Sequence, residues 1–517
     1  YENICVVGDE DQSIYRFRGA TIENILSFES QYKGARVIRL EQNYRSTKNI
    51  LEASNAVIRN NEGRKGKELW TEHEAGDKVH CYTAMNEHDE AQFVAAQILA
   101  GFSAGRGWRD HAVLYRMNAL SNQVEMALKS NSIPYRVVGG FRFFERAEIK
   151  DMLSYLCVIH NPSDDLRLLR VVNNPPRGIG AKTMESARSL AAQTGQPLWE
   201  VLVHAAEIPE LKKAAPKFQK FTDLIQHLQR LTQEVELPEV YETLIQESGY
   251  AEMLTAKKDN ESKSRLENIH ELSSSISGYL EHAEDPSLGG FLDEVALYTD
   301  LDSVEEDDNC VTLMTMHAAK GLEFPVVFTV GMEEGVFPGY RAIGEEDELE
   351  EERRLCYVAL TRAKERLYLT CAAQRMLFGR TSANLPSRFV KEIPNELLEV
   401  GGKVRRPQRD TFQDNDWSQE ERIAQPAHTG LREQPHTTRR PSGTRAAPAA
   451  YRQPAPKTTQ PLLQLRKGEM VRHAAFGTGM VLSVQPMGGD ALVEVAFDNV
   501  GTKRMMLKAA SQFMSKV

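Results

Sequence analysis

The sequence has no run of about 18 consecutive apolar residues, which a helix needs to cross a membrane. Its mean hydropathy is -0.45, and 26% of its 517 residues are charged. The first residues also lack the pairing of positive charge with an apolar stretch that is typical of a signal peptide. We therefore expect no membrane span, no signal peptide and no membrane partner.

Cysteine is scarce, with six residues in 517. No two of them have the C-x-x-C spacing that is typical of zinc or redox motifs. Widely scattered cysteines in a chain of this size are typical of reduced core residues in a cytoplasmic protein. We therefore predict a cytoplasmic location and no metal site. The six residues are Cys5, Cys81, Cys157, Cys310, Cys356 and Cys371.

Positive charge is not in excess, since 63 Lys and Arg residues face 73 Asp and Glu residues, a net charge of -10. This balance excludes a histone-like protein that is coated in positive charge. It leaves room for a local basic groove, because nucleic-acid binding depends on where the charges lie.

Strand and helix patterns alternate in the first part of the chain, which indicates a parallel α/β layer. The apolar run at residues 4–7 ends in Gly-Asp and predicts a buried parallel strand, and residues 37–40 predict a second. A parallel strand needs neighbours that are reached through long crossovers. Because only three residues precede this first run, we expect the chain to be a fragment of a longer protein. Further strands are predicted at 79–83, 112–115 and 135–138, and helices at 21–32, 49–60, 87–102 and 120–129.

Helical patterns dominate from about 144 to 303, which predicts an all-helical insertion. Strand patterns return at 310–314, 326–330 and 367–370, with a helix at 350–361 between them. Eight of the 22 prolines fall in 403–461, where apolar residues are few, so we expect a disordered basic linker. Four short strand patterns in 466–517 predict a small β-barrel.

Four stretches carry the strongest resemblance to a known family. They are VVGDEDQSIYRFRGA (6–20), LEQNYRST (40–47), TMHAAKGLEFPVVF (315–328) and YVALTRAKERLYL (357–369). In this order and at these spacings they resemble the later motifs of superfamily 1 DNA helicases of the UvrD/PcrA/Rep group. The resemblance extends over residues 1 to about 400, and the segment KGEMVRHAAFGTGMV resembles the Tudor-like module of the same group.

The resemblance implies an α/β fold with a RecA-like parallel-sheet motor domain, an inserted all-helical domain and a small Tudor-like β-barrel. Residues 1–34 would complete a first RecA-like domain, and residues 35–143 with 304–402 would form a second. The helical insertion would cover 144–303, the disordered linker 403–465 and the barrel 466–517.

Three residues are the candidates for catalysis. A side-chain amide can orient an attacking water, and the resemblance gives Gln12 the task of sensing the γ-phosphate of ATP. A guanidinium fork matches phosphoryl oxygens, and the resemblance places Arg45 and Arg362 on that phosphate from the second motor domain. Without the motif, a loop hydrogen bond would be the plainer role for Gln12.

The resemblance also assigns nucleotide and DNA contacts. Tyr44 would stack on adenine, Glu323 would bind the ribose, and Lys320 with Gly321 would approach phosphate or DNA. Mg²⁺ would accompany ATP, with ligands upstream of this chain. Single-stranded DNA binds aromatic platforms and basic groups. The matching residues are Tyr15, Phe17, Arg18, Arg116, Asn118, His317 and Phe378.

Two departures from the family pattern concern this DNA set, since Phe17 replaces a usual Trp and Gly339 replaces a frequent His. A glycine-rich turn at Gly178 and Gly180 precedes a helix, and its free N–H groups suit phosphate. The resemblance makes it a contact to duplex DNA, while a plain turn between helices is an equal alternative.

The phosphate-binding segment G-x-x-x-x-G-K-[ST] occurs nowhere in the sequence. We therefore predict an ATP-dependent 3′-to-5′ DNA helicase and translocase that is inactive as this chain alone. A helicase–nuclease subunit would need a nuclease domain, for which the linker and small barrel leave no room. A non-enzymatic module that docks on RNA polymerase or nucleic acid through the linker and barrel is the alternative.

Overall fold

The computed structural model describes residues 4–16, 19–300, 309–402, 463, 465–487, 490–498, 500–511 and 513–517. These residues belong to one compact unit, which comprises residues 1–404 and 463–517. Most of the predicted linker 403–465, with Phe17 and Arg18, lies outside the described residues.

The central element is a parallel sheet of seven strands in the order β3-β4-β2-β5-β6-β1-β9. Every residue of β2 is buried, which fits a parallel strand covered on both faces by helices. A two-stranded hairpin, β7 with β8, follows β6. The strands are β1 (Val79–Ala84), β2 (His111–Tyr115), β3 (Tyr135–Val137), β4 (Val311–Thr315), β5 (Phe324–Thr329), β6 (Ala363–Ala372), β7 (Arg375–Leu377), β8 (Arg380–Ser382) and β9 (Leu398–Gly402).

Helices cover this sheet, and their ends follow ordinary capping chemistry. In α4, the side chain of Asn86 accepts the N–H of Asp89 at 2.9 Å, and three acidic residues occupy the first turn. The α-helices before residue 403 and outside the insertion are α1 (Glu23–Leu26), α2 (Phe28–Gln31), α3 (Lys48–Ile58), α4 (Glu87–Ser103), α5 (Ser121–Ser130), α15 (Glu346–Leu360) and α16 (Arg388–Lys391).

Between β3 and β4 the described chain is helical and has its own apolar core. Phe218, Phe221, Ile225 and Leu228 form a buried stripe at helical spacing along α10. The helices are α6 (Ala147–His160), α7 (Asp165–Val171), α8 (Ala181–Thr194), α9 (Leu198–Val203), α10 (Ala215–Leu231), α11 (Leu237–Glu247), α12 (Tyr250–Lys257), α13 (Asn260–His282) and α14 (Leu288–Asp300).

Two predicted strands are wrong. Residues 4–7 and 37–40 have no strand structure, and their apolar side chains are exposed, with Val7 at 88% and Leu40 at 78%. A strand needs a hydrogen-bonding neighbour, and no strand of the described sheets pairs with either segment. Residues 21–32, predicted as one helix, form the two short helices α1 and α2.

The last segment folds as an antiparallel sheet of five strands in the order β13-β12-β11-β10-β14, which we call the C-terminal module. The fifth strand, β14, was missed in the sequence, and it pairs with β10. The module packs on the end of α4, where the rings of Phe102 and Phe476 lie 6.4 Å apart between centroids. Its elements are β10 (Met470–His473), β11 (Gly477–Met487), β12 (Asp490–Phe497), β13 (Gly501–Met506), α17 (Leu507–Ala510) and β14 (Met514–Lys516).

The predicted fold class is confirmed: a parallel α/β sheet of motor type, with helices, is joined by an antiparallel C-terminal sheet. The domain boundaries given above stay predictions. Among the described residues, none of the helices has the length and apolar character that a membrane crossing requires.

Candidate functional site

Arg45 lies in a short loop before α3 that is fastened to the start of β6. The side-chain oxygen of Asn43 accepts the N–H groups of Arg45 and Ser46 at 2.9 and 3.0 Å, a turn that Asn favours. Ser46 Oγ then donates to the carbonyl of Ala363 at 2.6 Å, and Thr47 N–H to that of Lys364 at 3.0 Å. The loop is therefore held in place before any ligand binds.

Arg45, Glu323 and Lys364 form one charged cluster. Glu323 Oε2 accepts from Arg45 Nε at 2.5 Å, and Glu323 Oε1 lies 2.7 Å from Lys364 Nζ. The hydrogen bonds from Lys364 and Arg45 lower the pKa of Glu323 to about 2. Two cations therefore surround one carboxylate, and the cluster keeps a positive balance at neutral pH.

Arg362 lies beside this cluster and is 2% exposed. Its Nε donates to the carbonyl of Val358 at 2.9 Å and its Nη1 to that of Leu322 at 3.0 Å. Burial and the neighbouring charge of Arg45 lower the pKa of Arg362 to about 10, so that it still carries its charge at neutral pH. A buried guanidinium held by neutral oxygens keeps a strong field in its surroundings.

The two arginines converge on Thr361. Arg45 Nη1 donates to its carbonyl at 3.3 Å, and Arg362 Nη2 donates to its hydroxyl at 3.1 Å. They therefore lie on the same side of the domain, although 317 positions separate them in the chain (362 minus 45). The ion pair of Arg45 is made with Glu323, itself a predicted nucleotide contact.

An open pocket of about 700 Å³ lies at this cluster. Tyr44 lines it with a side chain that is 75% exposed, and its hydroxyl donates to Gln42 at 2.7 Å. An exposed aromatic ring beside cations can stack on a base while the cations face phosphates. The lining residues are Gln42, Asn43, Tyr44, Arg45, Thr47, His73, Glu323, Lys364 and Glu365.

Gln12 lies in an acidic turn next to the loop of Lys320. Its side-chain amide donates to Asp9 Oδ2 at 2.6 Å, which is the loop hydrogen bond named above as the alternative. Lys320 Nζ donates to the Gln12 carbonyl at 2.8 Å, so these two predicted residues are brought together. Gly321 follows with φ of +90°, a conformation that favours glycine.

Two members of the predicted DNA set, Tyr15 and His317, lie close to Lys320. The hydroxyl of Tyr15 donates to the carbonyl of His317 at 3.2 Å, and their ring centroids are 6.4 Å apart. Lys320 Nζ lies 5.4 Å from the centroid of the Tyr15 ring, a cation–π contact. Phe17 and Arg18, predicted for the same surface, lie outside the described residues.

Of the other predicted DNA residues, Arg116 and Asn118 lie on the segment between β2 and α5, and Phe378 lies on a separate turn. Arg116 is paired with Glu352, 2.7 Å from Nη2 to Oε1, which offsets its charge. The carbonyl of Asn118 accepts from Arg146 at 3.3 Å. Phe378 forms the turn between β7 and β8 with φ of +56°.

The glycine-rich turn of the insertion is exposed and precedes α8. Gly178 has φ of +70°, and its carbonyl accepts from Lys217 Nζ. Gly180 is the residue before the first turn of α8. Arg177 fixes the turn from below through the Tyr155 hydroxyl at 2.7 Å and the Ser248 carbonyl at 3.0 Å. The arrangement suits both earlier interpretations.

Sequence reasoning missed three cations at the site. Lys364, two positions after Arg362, completes the cluster around Glu323. Arg64 and Lys67 bind the acidic turn that carries Gln12. For Arg64 and Lys67 the available signal was the basic segment RKGK at 64–67, whose charge is complementary to that of the acidic segment DED at 9–11. Within the described ranges, no group of three or more His, Cys, Asp or Glu residues could hold a metal ion.

The parallel sheet, its helical insertion and the charged cluster at the start of β5 and β6 define a motor-type α/β protein. Residues 38–374 match the model of the UvrD-like helicase C-terminal domain, 1–33 that of the UvrD/REP helicase N-terminal domain, and 468–511 that of the PcrA/UvrD tudor domain. The chain belongs to the UvrD-like helicase family.

Its similarity to individual proteins extends over almost the whole chain. It is 43% identical over 514 residues to the ATP-dependent DNA helicase PcrA of Staphylococcus epidermidis, and 44% identical over 519 residues to that of Staphylococcus aureus. Each comparison covers 99% of this chain and 66% of the relative, so the chain spans just under two thirds of the length of these relatives.

Proposed function

We propose that this chain is the larger part of an ATP-driven 3′-to-5′ DNA helicase and translocase. Its similarity to proteins named ATP-dependent DNA helicase PcrA supports the reaction, and the family match supports the class. The observation that carries the proposal is the convergence of Arg362 and Arg45, which lines the pocket, on Thr361.

In this proposal the arginines stabilise the charge that builds on the transferred phosphoryl group. Arg45 bonds Glu323 in the described state, and a phosphate would compete with that carboxylate for the guanidinium fork. Arg362 is already buried, so little water is present to screen the electrostatic attraction between its charge and a phosphate. Binding of phosphate would then draw the second motor domain toward the domain that holds the rest of the nucleotide.

ATP fits the described residues in part. Tyr44 offers a ring for the base, and Glu323 with Lys364 offers partners for the ribose or phosphates. Bound Mg²⁺ would neutralise phosphate charge, but the described residues provide no group of ligands for it. We propose that these ligands and the phosphate-binding loop come from a preceding segment.

DNA is the proposed second substrate. Tyr15, His317 and Lys320 place an aromatic ring, an imidazole and a cation within one small area, which suits stacking on bases and contact with the backbone. Phe17, Arg18, Arg116, Asn118 and Phe378 are proposed for single-stranded DNA, and Gly178 with Gly180 for duplex DNA.

ATP hydrolysis stimulated by single-stranded DNA tests the proposal. The assay compares the 517-residue chain with a longer chain that supplies a phosphate-binding loop before residue 1. We expect turnover from the longer chain only. Arg45→Lys and Arg362→Lys should each lower kcat about 10³- to 10⁵-fold, the range for arginines of this kind.

Arg366→Lys is the matched control, because Arg366 lies on β6, just after Arg362, and pairs with Asp77 at 2.7 Å rather than with Glu323. Its kcat should stay close to that of the unchanged protein. Strong DNA-stimulated turnover by the 517-residue chain alone, or an Arg362→Lys variant as active as the control, would contradict the proposed site.

A second role is supported by the C-terminal module. Met470 and Met480 are cross-strand partners on β10 and β11 and are 39% and 47% exposed, and Leu482 is 37% exposed. Exposed apolar residues of this kind mark interaction surfaces. We propose that this face binds RNA polymerase, in the cytoplasm. Met480→Lys should abolish co-purification of the chain with RNA polymerase, while Lys508→Ala, on α17 rather than on this face, should preserve it.

A further inference from the structure

One turn of helix α13, in the helical insertion, holds the turn between β7 and β8. Glu271 Oε2 accepts the backbone N–H of Phe378 at 3.1 Å, and Ser274 Oγ accepts that of Gly379 at 3.0 Å. A Cβ placed on Gly379 would lie 2.8 Å from Ser273 Cβ, so helix and turn are in direct contact. Two residues of the turn are thus held by two hydrogen bonds and one close approach from a single helix.

Glu271 is an unusual group for this place, because it is 2% exposed. Burial raises its pKa to about 8, against the hydrogen bonds from Phe378 and Ser274, which lower it. Burial of a carboxyl group is unfavourable unless the group is bonded. The hydrogen bonds that Glu271 accepts from the Phe378 N–H and the Ser274 hydroxyl are therefore the contribution that this buried group makes to the structure.

Phe378 adopts a backbone conformation that its side chain does not favour. Its φ is +56°, in the left-handed region that residues with a Cβ rarely adopt, and Gly379 follows at +71°. Such a conformation persists where surrounding contacts impose it. The N–H groups of the two residues point at the helix, and those bonds impose it here.

We propose that Glu271 and Ser274 are positioning residues that hold Phe378 for stacking on a base of single-stranded DNA. The inference rests on the proposed function, because the DNA contact of Phe378 comes from the family resemblance. It adds that the helical insertion, rather than the parallel sheet alone, sets the orientation of this aromatic platform.

The experiment measures binding of the 517-residue chain to a fluorescein-labelled dT oligonucleotide by anisotropy. Phe378→Ala sets the reference, and loss of one stacked base corresponds to a Kd raised about 5- to 150-fold. Glu271→Ala should also raise the Kd, as Phe378→Ala does. The double variant Glu271→Ala with Phe378→Ala should bind no more weakly than Phe378→Ala alone, since coupled residues are not additive.

Three further variants separate positioning from general damage. Glu271→Gln keeps an acceptor of the same shape and should restore binding, and Ser274→Ala, which removes a single hydroxyl, should raise the Kd in a folded chain. Ser275→Ala is the matched control, because its hydroxyl accepts from Asn122 Nδ2 at 2.8 Å instead of from the turn. It should bind DNA as the unchanged chain does.

Two results would overturn the inference. If Phe378→Ala weakens binding while Glu271→Ala and Ser274→Ala bind normally, or if the double variant shows additive losses, the helix does not position the ring. If Phe378→Ala itself binds normally, the proposed DNA contact fails, and the inference fails with it. The first result leaves the proposed helicase function intact, so the two failures are distinguishable.

Discussion

Arg64 and Asp11 form a two-point ion pair that joins segments 53 positions apart. Arg64 Nε lies 3.0 Å from Asp11 Oδ1, and Nη2 lies 2.8 Å from Oδ2. The side chains are 12% and 2% exposed, and Lys67 reinforces the pair through Asp9. This clamp fixes the turn that carries Gln12 against the segment that follows α3.

The clamp predicts how the turn responds when one partner is removed. Arg64→Met leaves the buried Asp11 with only Lys67, 3.9 Å away, and removing one partner of a buried pair typically costs about 3–5 kcal/mol. We expect the turn to detach rather than the domain to unfold. Hydrogen exchange should then accelerate at the N–H groups of Gln12 and Ser13, which bond to Asp9 and Glu10.

Arg59→Met is the control for this clamp. Arg59 pairs with Glu68 at the surface, with side chains 63% and 68% exposed, and such pairs contribute little. Hydrogen exchange at the Gln12 N–H should be as slow in Arg59→Met as in the unchanged protein. Equal exchange in the Arg64 and Arg59 variants would show that the clamp does not hold the turn.

A second prediction concerns Arg375, which joins two carboxylates inside the parallel domain. Its Nη2 lies 2.5 Å from Glu90 Oε2 and 2.6 Å from Glu333 Oε1, and the three side chains are at most 4% exposed. Arg375→Met leaves two buried carboxylates without a cation. We expect the free energy of unfolding in urea to fall by about 3–5 kcal/mol.

Arg380→Met is the comparison for Arg375, because it changes an exposed arginine in the same hairpin. It should shift the free energy of unfolding by less than about 0.5 kcal/mol. A loss below 1 kcal/mol for Arg375→Met, on the order of a surface pair, would contradict a structural role for the network.

Local patterns were enough for six of the seven strands of the parallel sheet, with β9 missed, and for the helical character of the insertion. The apolar run HAVLY at 111–115 and the stripe of α10 carry their own periodicity. Residues 4–7 and 37–40 carry the same kind of pattern but form no strand. A strand depends on a neighbour as well as on its own sequence, and no local pattern reveals whether the neighbour is present.

The candidate site likewise combines residues that the sequence reveals with residues that only the fold reveals. Arg45, Glu323 and Arg362 stand out because their motifs resemble a family. The structure brings the two arginines together at Thr361 and pairs Glu323 with Arg45. Their roles in catalysis stay predictions. Arg64 and Glu271 have no motif, and only the fold pairs Arg64 with Asp11 and Glu271 with Phe378. Contacts between distant segments are what the sequence alone did not provide.

The last prediction concerns His473, which is buried in the C-terminal module at 2% exposure. Its ring stacks on Phe476 with centroids 4.4 Å apart, and its Nδ1 accepts the N–H of Ala475 at 3.2 Å. Burial lowers the pKa of His473 to about 4, from 6.5 for an ordinary histidine. The folded module therefore holds the neutral ring at pH values where the unfolded chain binds a proton.

The sign of the effect follows from this difference. Below pH 6.5 the unfolded state binds more protons, so stability is complete above 6.5 and falls as the pH drops toward 4. The full loss is at most about 3 kcal/mol, at 1.36 kcal/mol per pKa unit. Opening of β10 and β11, followed by hydrogen exchange corrected for intrinsic rates, should become easier over that interval.

His473→Asn isolates the titrating group, because its side-chain oxygen can still accept the Ala475 N–H but does not titrate near neutral pH. The variant should be less stable at pH 7.5, since it loses the ring stack, yet its stability should change little between pH 6.5 and 4. If the unchanged chain and the variant lose stability in parallel over that interval, another group is responsible. If the stability difference between the unchanged chain and His473→Asn disappears as the pH falls, His473 is the group that makes the module sensitive to acid.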